Sequence, residues 1–247
     1  MICSRRAAAV ETTVQELRVG QDAGEPRAHG VACDVSRPGD VDALVDAVRA
    51  ALGGCDLWVN NAGSNAYRYA PLVETSPEAI IEVVSCNLTG TLLCCRAAMR
   101  LMMGQAGGGH LFNMLGAGSD QGATDQYAVY GATKAALPQL AKSLQLEVGD
   151  APVGVHNISP GLVWTELIQA GRNTFGAQGR WFINALCEPA DDVARAMVPL
   201  LLQVAQQPRR PGQGGQTLRV LPPQLAAQRL LARVLTGKNK GRWYPED

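Results

Sequence analysis

The sequence has no surplus of either charge, few histidines, no paired-cysteine motif and no long apolar run. Lys plus Arg number 22 and Asp plus Glu number 22, so no global positive field recruits nucleic acid, and none of the compact nucleic-acid motifs is present. His29, His110 and His156 are far apart and lack the i, i+4 spacing of a helical metal site. The seven cysteines contain no C-x-x-C pair, and the adjacent Cys94 and Cys95 point to different helix faces. The residues therefore predict no metal. An odd cysteine count fits free thiols in a reducing compartment better than a disulfide framework. No stretch approaches the ~18 uncharged apolar residues that span a bilayer, since the segments near Leu92 and Leu200 are short or broken by Pro199. The opening, Met1 to Arg6, carries neither the apolar core of a secretory signal nor the long Ser- and Arg-rich stretch of a transit peptide.

What is present is a regular alternation of strand-like and helix-like segments. It predicts one α/β domain over residues 1–221, followed by a basic amphipathic tail over 222–247. Ile2 to Ser4 reads as a strand end, Ala7 to Leu17 as a helix, Gly20 to Gly30 as a loop and Val31 to Val35 as the next strand. Val41, Leu44, Val45 and Val48 lie at helical spacing between Pro38 and Leu52. Asp56 to Gly63 runs from an apolar strand into a small-residue turn, and a long apolar helix begins near Pro77. A strand from His110 to Leu115 precedes a helix from about Gln126 to Val148, and Val153 to Ile158 reads as a further strand. Thr165 to Leu186 is rich in Gly, Trp, Phe and Leu, which fits either a segment closing over an apolar substrate or a plain surface helix pair. Ala190 to Val204 is an amphipathic helix, Gln206 to Gly215 a Pro- and Gly-rich loop, and Gln216 to Leu221 a last strand. In the tail, Leu230, Leu231, Val234 and Leu235 form an apolar stripe beside Arg229 and Arg233, with Lys238, Lys240 and Arg242 beyond. It suits an anionic membrane surface, or a packing or oligomer contact.

The chemistry concentrates at Tyr130-Gly131-Ala132-Thr133-Lys134. Residues four apart share a helix face, so a phenol stands beside an ammonium. A fixed neighbouring cation lowers a phenol's pKa from its usual ~10, and such a pair makes a proton donor near working pH.

Four motifs in order, Asn60-Asn61-Ala62-Gly63, Asn87 within a long helix, Tyr130-x-x-x-Lys134 and Ser159-Pro160-Gly161 after a strand, resemble the short-chain dehydrogenase/reductase family. The fold this implies is a Rossmann-like doubly wound parallel sheet. A narrower pattern, including Ser64-Asn65-Ala66-Tyr67, Leu93-Cys94-Cys95-Arg96, Gly116-Ala117-Gly118-Ser119-Asp120 and His156-Asn157, resembles the chlorophyll(ide) b reductases of plants and green algae. That resemblance implies reduction of the 7-formyl group of chlorophyll b or chlorophyllide b with NADPH, in a chloroplast, at the stromal side of the thylakoid membrane. It also implies a homo- or hetero-oligomer of related reductase subunits.

The roles implied for the residues follow. Tyr130 is the general acid, Lys134 keeps it acidic and holds the nicotinamide ribose, and Asn87 supports a reprotonating water. Ser4, Arg5, Asp34, Val35, Asn61, Ala62, Gly63, Pro160, Gly161, Val163 and Thr165 contact the cofactor, with Arg5 at the position that accommodates a 2′-phosphate. Asp34 is also a helix-cap candidate. Ser64, Asn65, Tyr67, Trp181 and Phe182 face the substrate. The sequence departs from the family where its usual catalytic Ser falls, roughly thirteen residues before the Tyr, at Gly116 and Ala117; Ser119 is the nearest hydroxyl. It also has no Thr-Gly-x-x-x-Gly-x-Gly turn, because it begins at what resembles the family's second strand. An N-terminally incomplete domain that binds NADPH poorly by itself is the expectation, with a catalytically idle partner subunit and another carbonyl reductase as alternative readings.

Overall fold

A computed structural model describes residues 1–19, 28–171, 173–207 and 215–245. The predicted loops at Gly20–Gly30 and Gln206–Gly215 lie largely outside these residues. In chain order, β1 (Ile2–Ser4) leads into α1 (Ala7–Arg18), and β2 (Gly30–Ala32) into α2 (Pro38–Leu52). β3 (Leu57–Asn60) leads into a helical run made of α3 (Pro77–Val84), a π turn at Ser85–Thr89 and α4 (Gly90–Met103). β4 (Gly109–Met114), α5 (Ala128–Glu147) and β5 (Val153–Ser159) follow. A short β6 (Val163–Trp164), α6 (Glu166–Gln169), α7 (Ala177–Leu186), β7 (Glu188–Pro189), α8 (Ala190–Ala205), β8 (Thr217–Arg219) and α9 (Pro223–Thr236) complete the chain.

All the strand pairs are parallel, as the α/β alternation predicts, in the orders β1-β2, β3-β4-β5-β8 and β6-β7. β4 and β5 are almost wholly buried because they are covered on both faces. Alternation sends Leu111 and Val155 to one side, against Val41, Leu44 and Val48 of α2 and Ala98 and Met102 of α4. Phe112 and Ile158 point to the other, against Leu201 and Val204 of α8. Register is also marked by polar side chains: Asn60, Asn113 and Asn157 stand opposite one another across β3, β4 and β5. Asn60 Nδ2 donates to Asn113 Oδ1 at 2.9 Å, and Trp58 Nε1 donates to Asn60 Oδ1 at 2.8 Å.

The helix boundaries have local causes. α2 starts with Pro38 in its first turn and stops at Gly53, whose φ of 72° is the left-handed conformation a glycine accepts without strain. α3 is capped by Ser76, whose hydroxyl accepts from Ala79 N at 3.3 Å. The run does not break before α4; the π turn keeps it continuous from Pro77 to Met103. That corrects the reading that no segment is long enough to span a bilayer, since this helix meets the criteria of length and composition. Its inner face is engaged in the fold, where α4 packs on α2, β3 and β4 and the π turn packs on α5.

The tail is part of the packed structure. α9 lies on α7, and Trp243 and Tyr244 join Ile183 and Cys187 in an apolar cluster. The fully buried Asn184 organises this contact: its Oδ1 accepts from Trp243 N at 2.6 Å and Tyr244 N at 3.0 Å, and its Nδ2 donates to Tyr244 O at 2.9 Å. Arg229 and Arg242 both pair with Glu188, and Arg233 is buried. Arg229 and Arg242 are thus paired within the protein and Arg233 is buried, while Leu231, Val234 and Leu235 form an apolar stripe on the exposed side of α9.

Asn184→Ala strips three buried backbone groups of their partner, at a cost of about 2–4 kcal/mol. The expected result is a lower melting temperature together with faster proteolytic release of the segment after Gly237. An unchanged digestion pattern would contradict this anchoring role.

Candidate active site

Tyr130 and Lys134 share the inner face of α5, near its N-terminal end. Lys134 is 4% exposed. Its Nζ donates to Met114 O, at the end of β4, at 2.9 Å and lies 5.6 Å from the centre of the Tyr130 ring. The Asn-Asn-Ala-Gly turn closes over the ammonium: a Cβ built on Gly63 would sit 3.9 Å from Lys134 Nζ and 3.6 Å from Asn87 Oδ1.

Asn87 lies within the π turn, a helix irregularity frequent at functional sites. It is fully buried and every polar atom of its side chain is engaged. Oδ1 accepts from Ser64 N at 2.7 Å, while Nδ2 donates to Ser64 O at 2.8 Å and to Thr133 Oγ1 at 3.1 Å. Thr133 Oγ1 in turn donates to Tyr130 O at 2.7 Å. Asn87 is thus a positioning residue that ties the Asn-Asn-Ala-Gly turn to the helix carrying Tyr130.

Burial shifts both titrating groups toward their neutral forms. The Tyr130 phenol is pushed up to about 12, by desolvation first and by the neighbouring Tyr69 second. Lys134 is brought down to about 8 by desolvation, opposed only by Cys86. The expected acidification of the phenol is therefore reversed: at this separation, desolvation outweighs the ammonium's field.

Gly116 explains the departure from the family's serine. A Cβ there would lie 2.5 Å from the Tyr130 hydroxyl oxygen, so the phenol occupies the space of a side chain. Gly118, with φ of +92°, packs equally close, a Cβ there falling 2.7 Å from Gly131 Cα. Ser119 Oγ accepts from Gly116 N at 3.0 Å, which makes it the residue that closes this loop over Tyr130.

The structure adds an aromatic ladder that the motifs did not reveal. Tyr130 stacks on Tyr127 at 4.4 Å, Tyr127 on Tyr69 at 4.5 Å, and Tyr69 meets Phe175 edge-on at 4.9 Å. The Tyr127-x-x-Tyr130 spacing was the available signal, but Tyr69 and Phe175 are brought in only by tertiary contact. Ser64 and Asn65 are buried supports: Ser64 Oγ bonds Glu82, and Asn65 Nδ2 donates to Leu167 O at 3.0 Å and to the Tyr127 hydroxyl at 3.4 Å. Tyr67 is exposed, whereas the contacts of Trp181 run to Phe182 and the Arg233 guanidinium on α9.

Ser4, Arg5, Asp34, Val35, Asn61, Ala62 and Gly63 converge on one cavity of about 860 Å³. Arg5 lies 3.9 Å from Glu82, both substantially exposed. Asp34 is used locally: its Oδ1 accepts from Ser36 N at 3.0 Å and Ser36 Oγ at 2.7 Å, and this holds its carboxyl below the usual range. It thus shapes the turn before α2 while still lining the cavity, and it is not the helix cap, since the N-cap of α2 is Arg37. Pro160 and Gly161 lie beyond β5, Gly161 with φ of +81°; Val163 is in β6, and the Thr165 carbonyl accepts the first bonds of α6.

The family model for short chain dehydrogenase matches residues 1–174. Chlorophyll(ide) b reductase NOL of Oryza sativa subsp. japonica is 43% identical over 250 residues, covering 100% of this chain and 71% of the rice protein. The protein of the same name in Arabidopsis thaliana is 43% identical, covering 100% and 70%. Among solved structures, a gluconate 5-dehydrogenase from Burkholderia cenocepacia in complex with NADP and tartrate superposes with a TM-score of 0.73 at 26% identity, covering 92% of this chain and 84% of its own.

Gly116→Ala forces the phenol out of its seat. Turnover is expected to fall at least tenfold, about 1.4 kcal/mol of barrier, with the melting temperature little changed. Undiminished turnover would show that the Tyr130 seat is dispensable.

Proposed function

This chain belongs to the short chain dehydrogenase family and is an oxidoreductase, and from that premise we propose that it reduces the 7-formyl group of chlorophyll b or chlorophyllide b to a hydroxymethyl group with NADPH. The observation that carries the reading is the half-buried phenol of Tyr130 at the end of a stack of flat aromatic faces, with a buried ammonium four residues away. Two plastid relatives named for that reaction, at 43% identity over the whole chain, support the substrate and a chloroplast location.

The residues fit a nicotinamide cofactor. The backbone of Asn61 to Gly63 is free of bulk beside the ammonium, Lys134 has donors suited to ribose hydroxyls, and Arg5 offers a cation to a 2′-phosphate. Such a cofactor supplies hydride to the formyl carbon. As that bond forms, the carbonyl π pair moves to oxygen, and Tyr130 gives its phenolic proton to that oxygen, leaving a phenolate. The Lys134 ammonium stabilises the phenolate, and the dry surroundings strengthen that attraction. Asn87, through Ser64 and Thr133, keeps the turn and the catalytic helix in register while the charge develops. The exposed Leu231, Val234 and Leu235, with Lys238 and Lys240 following, suit a peripheral contact with an anionic plastid membrane, where the substrate resides.

The test incubates the purified protein with NADPH and either pigment and looks for the 7-hydroxymethyl product. Product is expected from the native chain, and Tyr130→Phe is expected to abolish it while folding persists. Reduction of simple ketones alone would contradict the substrate, and near-native turnover by Tyr130→Phe would remove that residue from the mechanism.

A further inference from the structure

The Tyr130 ring is held on two sides. One face stacks on Tyr127 at 4.4 Å, and the loop after β4 closes on its hydroxyl end, where a Cβ on Gly116 would fall 2.5 Å from the oxygen. That packing leaves the ring little room, so the place of the phenol follows the place of the Tyr127 ring. Tyr127 is 7% exposed, and its hydroxyl accepts from a side chain that the chemistry does not use, the amide of Asn65.

Asn65, itself 4% exposed, is a three-way junction. Its Oδ1 accepts from Tyr67 N at 2.9 Å and fixes the turn in which Ala66 and Tyr67 both take a φ of 51°. An amide nitrogen has two hydrogens, and Nδ2 has an acceptor for each: the Tyr127 hydroxyl at 3.4 Å and Leu167 O at 3.0 Å. Leu167 lies in the four-residue α6, where Gly171 N donates to Ile168 O and Leu167 O is left to side chains. Tyr69 reaches the same carbonyl with its hydroxyl at 3.5 Å, and its ring stacks on Tyr127 at 4.5 Å with the planes 6° apart. Gly171 makes room for that ring, since a Cβ there would lie 2.5 Å from Tyr69 Cδ2. One buried amide therefore ties the ring beside Tyr130 to α6.

We infer that Asn65 is a positioning residue for the reduction, setting the Tyr130 phenol through Tyr127 and setting α6, beside the ladder on which a flat substrate would lie, through Leu167. Its role in turnover rests on the carbonyl reduction proposed above; its hold on the Tyr130 ring rests on these contacts alone. Proton transfer needs a donor aligned with the carbonyl oxygen, and a displacement of about 1 Å can cost about 100-fold in rate. The two arms of the amide predict different losses. The Tyr127 arm acts on the proton donor and so on kcat, whereas the Leu167 arm acts on the substrate wall and so on the KM for pigment. The Asn61 to Gly63 turn is held separately, by the bonds between Ser64 and Asn87, so NADPH affinity is not expected to follow either arm.

The test uses Asn65→Ser in the full chain. A serine there can still accept from Tyr67 N, as Ser64 Oγ does from Ala66 N at 2.9 Å, but it is too short to reach Tyr127 or Leu167. A fall in kcat of about tenfold and a rise in pigment KM of roughly threefold are expected, with the NADPH KM unchanged. Tyr127→Phe, which cuts one arm and keeps the ring, is expected to lower kcat roughly threefold at constant pigment KM, and it carries the test if the serine variant does not fold. Labelled Tyr130 Cζ supplies a readout that needs no substrate. Its midpoint, about 12 in the native chain, is expected to fall toward the ordinary 10.0 in both variants, further in Asn65→Ser, as water enters beside the ring. Native kcat in both variants, an NADPH KM that rises with the pigment KM, or an unmoved Tyr130 midpoint would overturn the positioning role. If the native chain reduces neither pigment, the carbonyl-reduction reading fails on its own, and the Tyr130 midpoint decides the role of Asn65.

Discussion

Desolvation of the Lys134 ammonium is the constraint on which the site depends. A buried cation persists only where the fold holds partners around it. Here Met114 O accepts from it, the Asn61 to Gly63 turn covers it, and Asn87 pins that turn to α5. The irregular turn at Ser85–Thr89 that presents Asn87 inward is thus coupled, through the side chains of Asn87 and Thr133, to the backbone of Tyr130. The same dryness raises the Tyr130 pKa, so the phenol keeps its proton at neutral pH, as the proposed proton transfer requires.

Close approach has been achieved by removing side chains. Gly116 and Gly118 let the loop after β4 press onto Tyr130 and Gly131, and Ser119 fastens that loop through its hydroxyl. On the other side, the ladder of Tyr127, Tyr69 and Phe175 links the phenol to the segment between β6 and α7. That segment is steadied in turn by the C-terminal residues docked on Asn184. Packing far from the chemistry thereby sets the wall against which a flat substrate would lie.

Much of this was legible in the sequence. The α/β alternation gives the parallel sheet and nearly all its elements, because strands covered on both faces read as continuous apolar runs. The spacing of Tyr130 and Lys134 placed them on one helix face, and Ser4, Arg5, Asn61 and Gly63 do converge on one cavity. What was not legible depends on burial and tertiary contact. A helix face shows adjacency but not dielectric, so the direction of the Tyr130 shift was inverted. Asp34 followed its local turn with Ser36, and the two-residue pairing of β6 with β7 is too short to leave a pattern. The tail's stripe and basic residues left a membrane surface and a packing contact both open, because Glu188, the partner of Arg229 and Arg242, is distant in sequence.

The central claim, that burial rather than the neighbouring charge governs the catalytic pair, is tested most directly by NMR titration of labelled Tyr130 Cζ and Lys134 Nζ. The account predicts midpoints of about 12 for the phenol and about 8 for the ammonium. Because the Lys134 pKa is lowered, its charged form is complete well below pH 8 and is lost as pH rises through about 8, so turnover that needs the ammonium declines in that window while Tyr130 remains protonated. A Tyr130 midpoint below its ordinary 10.0, with Lys134 at or above its ordinary 10.5, would contradict the account and restore direct acidification of the phenol by its neighbour.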